Sequence, residues 1–513
     1  MAEIYRNSAV RIYKNIKMDK NYFNVLDPMT DTQILSALAP NLVSYNSQYS
    51  FIRDNGKIQV HFDYSDVLKC NYVAFQNPDY DNKYFFGWID SVEYVNENTV
   101  TINYTLDYWT TWINKFNFNA VLVEREHVNI DNVGEHVLPE PVTVGSSQAQ
   151  NTVMKRFANY DLVVNSANDP SADADPITMI DKYVNTAYSK CFTSAQLADA
   201  KNWIAHESPT GRLINCILYP TEFTGKNNAG AVASIATEQI TIPTPTALNG
   251  YTPVNNKLFT YPYSYLLVDN CSNQTLLKYE EFSNFNAITF ILKGFANPIG
   301  EITCIPQNYD LINENPYHSI TIRDFPQLPM ALDTYLAWVA QKSNSAMMQG
   351  LTGIGSGAAM GAMAGGIYGA AIGAVGGLIS GMVSYELQEG QAADAADSIK
   401  GGNSSGIIDA AVGNKGFYFK QMALKYDAAV SIDNYFSMFG YNVSCVKTPN
   451  ITGRSYWNYV KINGNGGYGE MPEMARDKIN SILNNGVTIW HAHSYMGNYI
   501  HGGSKMQNPI INS

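Results

Sequence analysis

The sequence predicts a mainly β protein of the α+β class, built from antiparallel sheets with an inserted mixed domain and a long hydrophobic Gly-rich loop. Two observations favour sheets. Short apolar runs alternate with polar residues along much of the chain, and uncharged Asn, Thr and Tyr are abundant while charged residues make up only 15%. Alternation with a period of two is typical of strands, and Asn favours the turns between them. The loop is predicted by one segment that lacks charge altogether.

The first 145 residues read as strands and turns. Asp107 is placed to cap a short helix at 108–113, because its carboxylate can accept hydrogen bonds from the first backbone N–H groups of a helix. Predicted strands in this part cover residues 57–62, 84–89, 100–106 and 116–126. Together they predict an antiparallel meander.

The rest of the chain alternates between strand and helix patterns. Proline and glycine near residues 139–145 and 241–250 suggest the first two boundaries. Further strands are predicted at 152–164, 213–219, 263–268, 287–292, 299–305, 417–426, 442–446, 456–462 and 487–490, and helices at 178–189, 194–204, 330–341 and 472–484. The predicted parts are 1–145 (N-terminal β), 146–250 (inserted α+β), 251–342 (second β segment), 343–415 (Gly-rich loop with an acidic return limb) and 416–513 (C-terminal segment).

Residues 343–385 contain no Asp, Glu, Lys, Arg or His. Glycines four positions apart form one ridge of a helix, and such a ridge lets another helix approach backbone to backbone. We interpret the following row as a glycine zipper: Gly353, Gly357, Gly361, Gly365, Gly369, Gly373, Gly377 and Gly381. The apolar side chains around it are candidate membrane-active residues: Met347, Met348, Leu351, Ile354, Met360, Met363, Ile367, Tyr368, Ile372, Val375, Leu378, Ile379, Met382 and Val383.

One copy of this segment is poorly suited to act alone. Its 12 glycines oppose a helix in water, since each costs about 1 kcal/mol relative to Ala, roughly 12 kcal/mol in all. Its Leu, Ile and Val side chains favour mid-bilayer insertion by only about 3–5 kcal/mol. We therefore expect several copies to insert together, as single spans or as hairpins. The alternatives are a flexible linker and a buried Gly/Ala helix.

Charge and cysteine content exclude several classes of protein. The net charge of −12, without a basic cluster, argues against specific nucleic-acid binding, although DNA could pass an acidic wall. The six cysteines are widely spaced and lack C-x-x-C pairs, so we expect buried free thiols without zinc or disulfides: Cys70, Cys191, Cys216, Cys271, Cys304 and Cys445. The first residues lack an apolar run, which predicts folding in a cytoplasm without a signal peptide.

Two further motifs are candidates for a nucleotide-binding or a catalytic site. Gly353-x-Gly355-x-x-Ala358 matches a dinucleotide fingerprint only formally, because no strand precedes it. Residues 124–127 (Glu-Arg-Glu-His) are interpreted as a salt-bridged strand surface rather than an acid/base pair. We expect no catalytic residue and no enzyme.

Two more groups of side chains could bind a metal. His491 and His493, with His501 beyond, are interpreted as part of a solvated tail rather than a metal site. The clustered carboxylates of Asp169, Asp173 and Asp175 could invite calcium, but the Gly and Glu of an EF-hand loop are absent. We expect no cofactor and no metal.

Several stretches resemble one known family. They are TLDYWTTWI at 105–113, VLVEREHV at 121–128, NKLFTYPY at 256–263, GYNVSCVKTPN at 440–450, RSYWNYV at 454–460 and NGVTIWH at 485–491. In this order and over most of the chain, they resemble the tail-knob, or distal tail tube, proteins of small short-tailed bacteriophages of Gram-positive hosts. The unusual regularity of glycine in residues 343–385 departs from that pattern. It leaves open whether the loop is helical or irregular before it enters a membrane.

The resemblance implies a virion structural protein whose mostly β subunits form a ring, usually a hexamer, at the end of the tail tube. It also implies that an apolar loop of each subunit plugs the lumen, then leaves it and perforates the host membrane, so that viral DNA can pass without specific binding. Partners would be copies of the chain, other tail proteins and the host membrane. The alternatives are a tail-associated cell-wall hydrolase and a purely structural or receptor-binding tail component.

Overall fold

The computed structural model describes residues 4–52, 56–76, 81–166, 188–207, 213–224, 236–296, 299–323, 325–327, 330–331, 399–400, 415–500 and 506–511. The chain divides into two compact units. Unit 1 comprises Met1–Ser146, Ala247–Tyr263 and Leu424–Ser513, and unit 2 comprises Ser147–Thr246 and Ser264–Ala423. The five-part division of the sequence stays a prediction.

Strands dominate the described residues. Before residue 146 they are β1 (Ile4–Tyr13), β2 (Asn24–Leu26), β3 (Leu42–Ile52), β4 (Lys57–Val60), β5 (Tyr72–Gln76), β6 (Tyr84–Asn96), β7 (Thr99–Leu106), β8 (Asn117–Phe118) and β9 (Val121–Glu126). Those from 147 to 331 are β10 (Ser147–Arg156), β11 (Tyr160–Ser166), β12 (Tyr188–Phe192), β13 (Leu213–Pro220), β14 (Ala236–Ile242), β15 (Ser264–Asp269), β16 (Gln274–Leu277), β17 (Ile288–Phe295), β18 (Glu301–Pro306), β19 (Ile320–Ile322) and β20 (Met330–Ala331). The remainder are β21 (Ile399–Lys400), β22 (Gly416–Leu424), β23 (Tyr441–Lys447), β24 (Trp457–Asn463), β25 (Gly467–Tyr468) and β26 (Val487–Trp490).

The α-helices are fewer and mostly short. They are α1 (Asp31–Leu38), α2 (Tyr64–Val67), α3 (Tyr108–Trp112), α4 (Leu197–Glu207), α5 (Tyr426–Phe439) and α6 (Glu473–Asn485). Local signals explain where several of them begin and end. Asp107 caps α3 by accepting from the Thr110 N–H at 3.1 Å, and Gly486 ends α6 with a φ of +85°.

Unit 1 contains a six-stranded antiparallel sheet in the order β3-β1-β5-β6-β7-β4. Successive side chains of a strand point to opposite faces of its sheet. Along β5, Tyr72 and Ala74 accordingly join a hydrophobic cluster around Trp109, whereas Val73 and Phe75 join a second cluster. Both faces of this sheet are therefore covered by apolar side chains.

A five-stranded sheet of unit 1 joins distant parts of the sequence in the order β2-β26-β24-β9-β23. The β2 and β26 strands pair in parallel, and the other neighbours pair antiparallel. Trp457 and Trp490 are fully buried here, with ring centroids 5.1 Å apart. The α6 helix contacts β24, and its Ile479, Ile482 and Leu483 are buried at the spacing of one helix face.

Among its described residues, unit 2 contains three larger sheets, in the orders β10-β22-β15-β16, β12-β11-β13 and β14-β17-β18-β19, and a two-stranded sheet of β20 and β21. Ile288, Phe290 and Leu292 alternate with less buried residues along β17 and face the core. One hydrophobic cluster joins side chains of all three sheets, including Phe417 and Phe419 of β22. This core anchors the strands that lead toward the Gly-rich segment.

The predicted fold class is confirmed, because the described residues form mainly antiparallel sheets. Some predicted elements were wrong. The strand at 116–126 is interrupted between β8 and β9, and the strand at 152–164 is broken between β10 and β11. Residues 188–189 of the helix predicted at 178–189 lie in strand β12, and the other residues of that helix up to 187 are outside the described residues.

Candidate functional site

The candidate site is the part of unit 2 formed by the chain just before residue 332 and just after residue 398, on either side of the stretch that contains the Gly-rich segment. The predicted membrane-active side chains and the zipper glycines all lie within residues 332–398, outside the described residues. Their roles stay predictions. The structure does describe the chain on both sides, as a leading stem (residues 320–323 and 325–327) and a returning stem (residues 415–423).

A short ladder joins the two sides of the segment. The β20 and β21 strands pair antiparallel, with Met330 opposite Lys400 and Ala331 opposite Ile399. Residues 330–331 were predicted to start a helix at 330–341, which is wrong for these two residues, while 332–341 lie outside the described residues. The ladder therefore places residues 330–331 directly beside residues 399–400 within unit 2.

The leading stem is fixed to strand β13. The Leu218 N–H donates to the Pro326 carbonyl at 2.8 Å, and Gln327 forms a bridge with Ile217. Phe325 is buried and packs edge-on against the Tyr219 ring, with centroids 5.0 Å apart. Such aromatic pairs contribute about 0.5–1.5 kcal/mol beyond the burial of their area. The stem is therefore anchored before the chain reaches the ladder.

The returning stem is anchored just as firmly. The Phe157 N–H donates to the Lys415 carbonyl at 3.0 Å, and the Phe157 and Phe417 rings pack edge-on at 6.1 Å. A Cβ atom at Gly416 would overlap the carbonyl oxygen of Lys155, so only glycine permits this close backbone approach. Strand β22 thus starts against the backbone of residues 155–157.

The two stems lie next to each other. The Lys415 Nζ atom is 5.5 Å from the centroid of the Phe325 ring. A cation over an aromatic face at this distance is attracted by about 0.5–1 kcal/mol at an exposed position. The site therefore combines a backbone ladder, two buried aromatic anchors and a contact between the stems, all within unit 2.

The predicted salt-bridged surface at 124–127 is wrong for most of its residues. Glu124 does pair with Lys461 at 2.7 Å near the surface, but Arg125, Glu126 and His127 are buried. Glu126 pairs with Lys447 and accepts from the Asn450 N–H at 2.8 Å. Burial raises the pKa of Glu126, and these partners oppose that rise.

His127 is fully buried as a neutral ring. Its Nδ1 accepts from the Tyr459 N–H at 2.8 Å, and its Nε2 lies 3.2 Å from the Phe436 carbonyl, to which it donates. Burial lowers the pKa of His127 well below its usual value, and the nearby Arg454 adds to that effect. The ring is a structural hydrogen-bonding group of unit 1 rather than an exposed acid or base.

The histidines near the C-terminal end do not form a metal site among the described residues. His491 contacts Asp27 at 3.4 Å and Asn458 at 3.1 Å, and His493 accepts from the Lys17 N–H at 3.3 Å. His493 is only 6% exposed, so the interpretation of a solvated tail is wrong for it. Burial, with Lys17 nearby, lowers its pKa.

Other predicted groups have separate outcomes. His501, the three carboxylates at 169, 173 and 175, and the motif at 353–358 lie outside the described residues. Four cysteines are buried free thiols as predicted, but Cys271 and Cys445 are exposed. In the part of the chain that the structure describes, no helix has the length and hydropathy needed to cross a bilayer.

Sequence reasoning missed a buried ionic cluster in unit 1. Glu140 pairs with Arg125 at 2.6 Å and also with Lys257, and it accepts from the Asn442 N–H at 2.9 Å. Burial lowers the pKa of Lys257, while Glu140 opposes that effect. The sequence offered Glu140 only as part of Pro139-Glu140-Pro141, which was interpreted as a boundary.

Comparisons with known proteins agree with this architecture. The family model described as the C-terminal domain of the tail knob protein gp9 of Bacillus phage phi29 matches residues 224–503, more than half of the chain. A second model, the N-terminus of the Caudoviral major tail protein, matches residues 6–117. The first match includes both stems and the segment between them.

Curated relatives carry the same description. The tail knob protein gp9 of Bacillus phage PZA is 25% identical, with 84% of this chain and 87% of the relative covered. The gp9 proteins of Bacillus phages phi29 and B103 are 22% and 23% identical, with 86% and 94% of this chain and 88% and 96% of the relatives covered. Each alignment extends over nearly the whole of both proteins.

A solved structure supports the fold independently. The tail knob protein gp12 of bacteriophage C1 superposes with a TM-score of 0.64 at 12% identity, covering 98% of this chain and 100% of that one. At this identity the likeness concerns the fold alone. The family is shown by the match over residues 224–503: the chain belongs to the phage tail knob protein family and is a structural component of the virion tail.

Proposed function

We propose that this chain forms the distal tail tube as a ring, whose apolar segments first plug the lumen and then enter the host membrane to form a channel for genome ejection. The observation that carries the proposal is the pairing of Met330–Ala331 with Ile399–Lys400. This ladder brings together the two described residues, 331 and 399, between which the charge-free residues 343–385 lie in the sequence. The protein then acts as a structural machine rather than an enzyme.

Attachment of each apolar segment to a ring subunit suits a segment that enters the membrane together with other copies. One copy gains too little from lipid to insert alone, as its glycine content indicates. Copies tethered to one ring, which we expect to be a hexamer, raise each other's effective concentration without any new contact. Their glycine ridges can then pack together, so that insertion becomes favourable for the group.

The test removes the segment while keeping its anchors. Because Ala331 and Ile399 are directly opposed, replacing residues 332–398 with Asn-Gly should close a two-residue hairpin on the existing ladder. The variant should assemble like the wild-type chain in electron micrographs but release no dye from liposomes. A matched full-length variant, Ile367→Asp with Ile372→Asp, should also assemble and lose release.

The two readouts separate the parts of the proposal. Dye release that persists after excision would refute the membrane role while leaving the tail knob assignment intact. Loss of assembly in the excision variant alone would show that the segment holds the ring together. Release that survives in the double Asp variant would also contradict insertion, because two carboxylates at mid-bilayer depth oppose it by about 5 kcal/mol or more.

A further inference from the structure

Unit 2 contains an open cleft of about 780 Å³ beside the two stems. The turn between β15 and β16 forms one wall, and the edge strand β19 forms another. Arg323, from the leading stem, and Lys415 and Tyr418, from the returning stem, also line it. Most small-molecule sites are largely apolar, but hydroxyl, amide and cationic side chains dominate this lining.

The cleft is preformed by the side chain of Asn270. Its Oδ1 accepts from the Asn273 N–H at 2.7 Å and the Ser272 N–H at 3.0 Å, which fixes the turn. Its Nδ2 donates to the Thr321 carbonyl at 2.9 Å and so ties the turn to β19. Cys271 adopts a φ of +69°, a conformation that a residue with a side chain rarely takes. Such strain is concentrated at functional positions.

Two cations stand at the stem side of the cleft. The Arg323 side chain is 70% exposed and donates through Nε to Glu301 at 3.1 Å. A guanidinium has further N–H groups in a fixed fork that matches a phosphate or carboxylate. The ammonium of Lys415 supplies a second positive charge on the other stem. Two cations at one site are notable in a chain whose net charge is −12.

The remaining lining suits hydroxyl groups. Ser272 and Thr275 contribute hydroxyls, and Asn273 contributes an amide, each of which can both donate and accept. Ser319 donates to the Pro316 carbonyl at 2.7 Å and Gln274 donates to Asp269 at 3.0 Å, so the Ser319 hydroxyl and the Gln274 amide oxygen are offered chiefly as acceptors. These groups can replace water around a polyol, while Arg323 and Lys415 neutralise an anion. We propose that this cleft binds a phosphate ester of a polyol, held by Arg323 and Lys415 at the phosphate and by the turn and β19 at the hydroxyls.

Nucleic acid fits the cleft less well, although it also carries phosphodiesters. A DNA strand would extend beyond two cations onto a chain of net charge −12, which repels a run of phosphates. Among the described residues that line the cleft, Tyr418 is the one aromatic side chain, whereas single-stranded nucleic acid is usually held on several stacked rings. A short polyol phosphate meets neither obstacle. Its source could be a soluble compound or a lipid headgroup.

The two exposed cysteines allow a direct test on the full-length chain. Cys271 lines the cleft, whereas Cys445 lies in β23 of unit 1 and serves as an internal control. Alkylation by iodoacetamide is followed at both thiols by peptide mass spectrometry. A ligand that covers the cleft at ten times its dissociation constant should slow labelling of Cys271 about elevenfold. Labelling of Cys445 should not change.

The probes distinguish the chemistry. We expect sn-glycerol 3-phosphate to protect Cys271, and glycerol alone to protect it much less. Protection by vesicles containing phosphatidylglycerol, but not by sn-glycerol 3-phosphate, would support the same chemistry with a lipid source. Equal protection by glycerol, by inorganic phosphate or by an oligonucleotide would overturn the proposal, as would no protection by any probe.

Variants then test whether Arg323 and Lys415 bind the phosphate. Arg323→Gln and Lys415→Gln should each weaken protection by sn-glycerol 3-phosphate at least about tenfold, since each removes a charge-assisted contact. Lys293→Gln is the matched control, because Lys293 pairs with Glu314 at 2.6 Å and does not line the cleft. Continued protection of the buried thiols Cys216 and Cys304, which lie in unit 2, confirms that a variant is folded. Equal affinity in all three variants would contradict the assigned phosphate position.

Discussion

The carboxylate of Glu140 lies 2.6 Å from the guanidinium of Arg125, and their side chains are only 0% and 10% exposed. Lys257, 2% exposed, contacts the same carboxylate. One anion thus pairs with two buried cations that come from different parts of the sequence. Removing one partner of a buried ion pair leaves an uncompensated charge, which is far more costly than breaking a surface pair.

The first prediction concerns this cluster. Glu140→Gln should lower the free energy of unfolding of unit 1 by about 3–5 kcal/mol, because two buried cations lose their anion. Glu124→Gln, which breaks the more exposed pair with Lys461, should cost less than about 1 kcal/mol. Urea unfolding followed by tryptophan fluorescence compares them. Equal costs would show that the Glu140 cluster is no more important than a surface pair.

The second prediction concerns His127 and pH. Because its pKa is lowered in the folded chain, the unfolded chain takes up the proton first as the pH falls. Its contribution to stability should therefore be complete above about pH 6.5 and decline below it, by up to about 1.4 kcal/mol per pH unit. His127→Gln should be less stable at neutral pH, with a shallower decline below pH ~6.5. Parallel curves for both proteins would contradict this.

The third prediction concerns Asp107, whose contribution to stability changes with pH in the direction opposite to that of His127. Burial raises the pKa of Asp107 to about 6, while the Tyr72 hydroxyl donates to its carboxylate at 2.8 Å. A raised carboxyl pKa contributes stability that is lost as the pH rises from about 4 toward 6. Asp107→Asn should therefore gain stability relative to wild type across that range in thermal melts. Asp107→Ala removes the cap of α3 and should cost about 1–2 kcal/mol. A pH-independent difference for the Asn variant would refute the assignment.

The fourth prediction concerns two glycines of unit 1. Gly440 has a φ of +64°, and a Cβ there would overlap the backbone of Glu126 and His127. Gly250 has a φ of +86°, but a Cβ there meets nothing within 4 Å. Gly250→Ala should cost about 1 kcal/mol for the left-handed backbone alone. Gly440→Ala should cost several times more, because two strands must separate. Similar melting temperatures for the two variants would contradict the steric account.

Local signals were sufficient for part of the fold. The Asp107 cap and the Gly486 stop follow from rules that act within one helical turn, and the structure has both. The helix α1 carries such a signal too, since Thr30 and Gln33 form a capping box. Alternation also predicted β4, β7 and β17 within a few residues. These elements have one buried face, which makes their pattern easy to read.

Other elements depend on partners far away in sequence. The chain at 426 was predicted to continue a strand, yet Tyr426 begins α5, which has no side-chain cap at its start. Its buried Asp433 accepts from the Tyr251 hydroxyl and from the N–H groups of Val254 and Asn255. No local sequence pattern predicts a buried carboxylate whose hydrogen-bond donors lie about 180 residues away in the sequence. The spacing of Ala429, Ile432 and Phe436 was the available helical signal.

The same reason limits what could be said of the site. Absence of charge singled out residues 343–385, because composition is visible without knowledge of the fold. The ladder at 330–331 and 399–400 could not be predicted, since two-residue strands carry no periodicity. The cleft was missed as well. Its lining comes from three separate stretches of unit 2, and Cys271 was expected to be buried.

The parallel pairing of β2 with β26 has a consequence for synthesis of the protein. Translation proceeds from residues 24–26 to 487–490, so the first strand of that sheet must wait for the last. The apolar residues 343–385 leave the ribosome about 100 residues earlier, roughly 5–20 s at bacterial elongation rates. During that interval the nascent chain carries a long apolar segment while the five-stranded sheet of unit 1 is still incomplete.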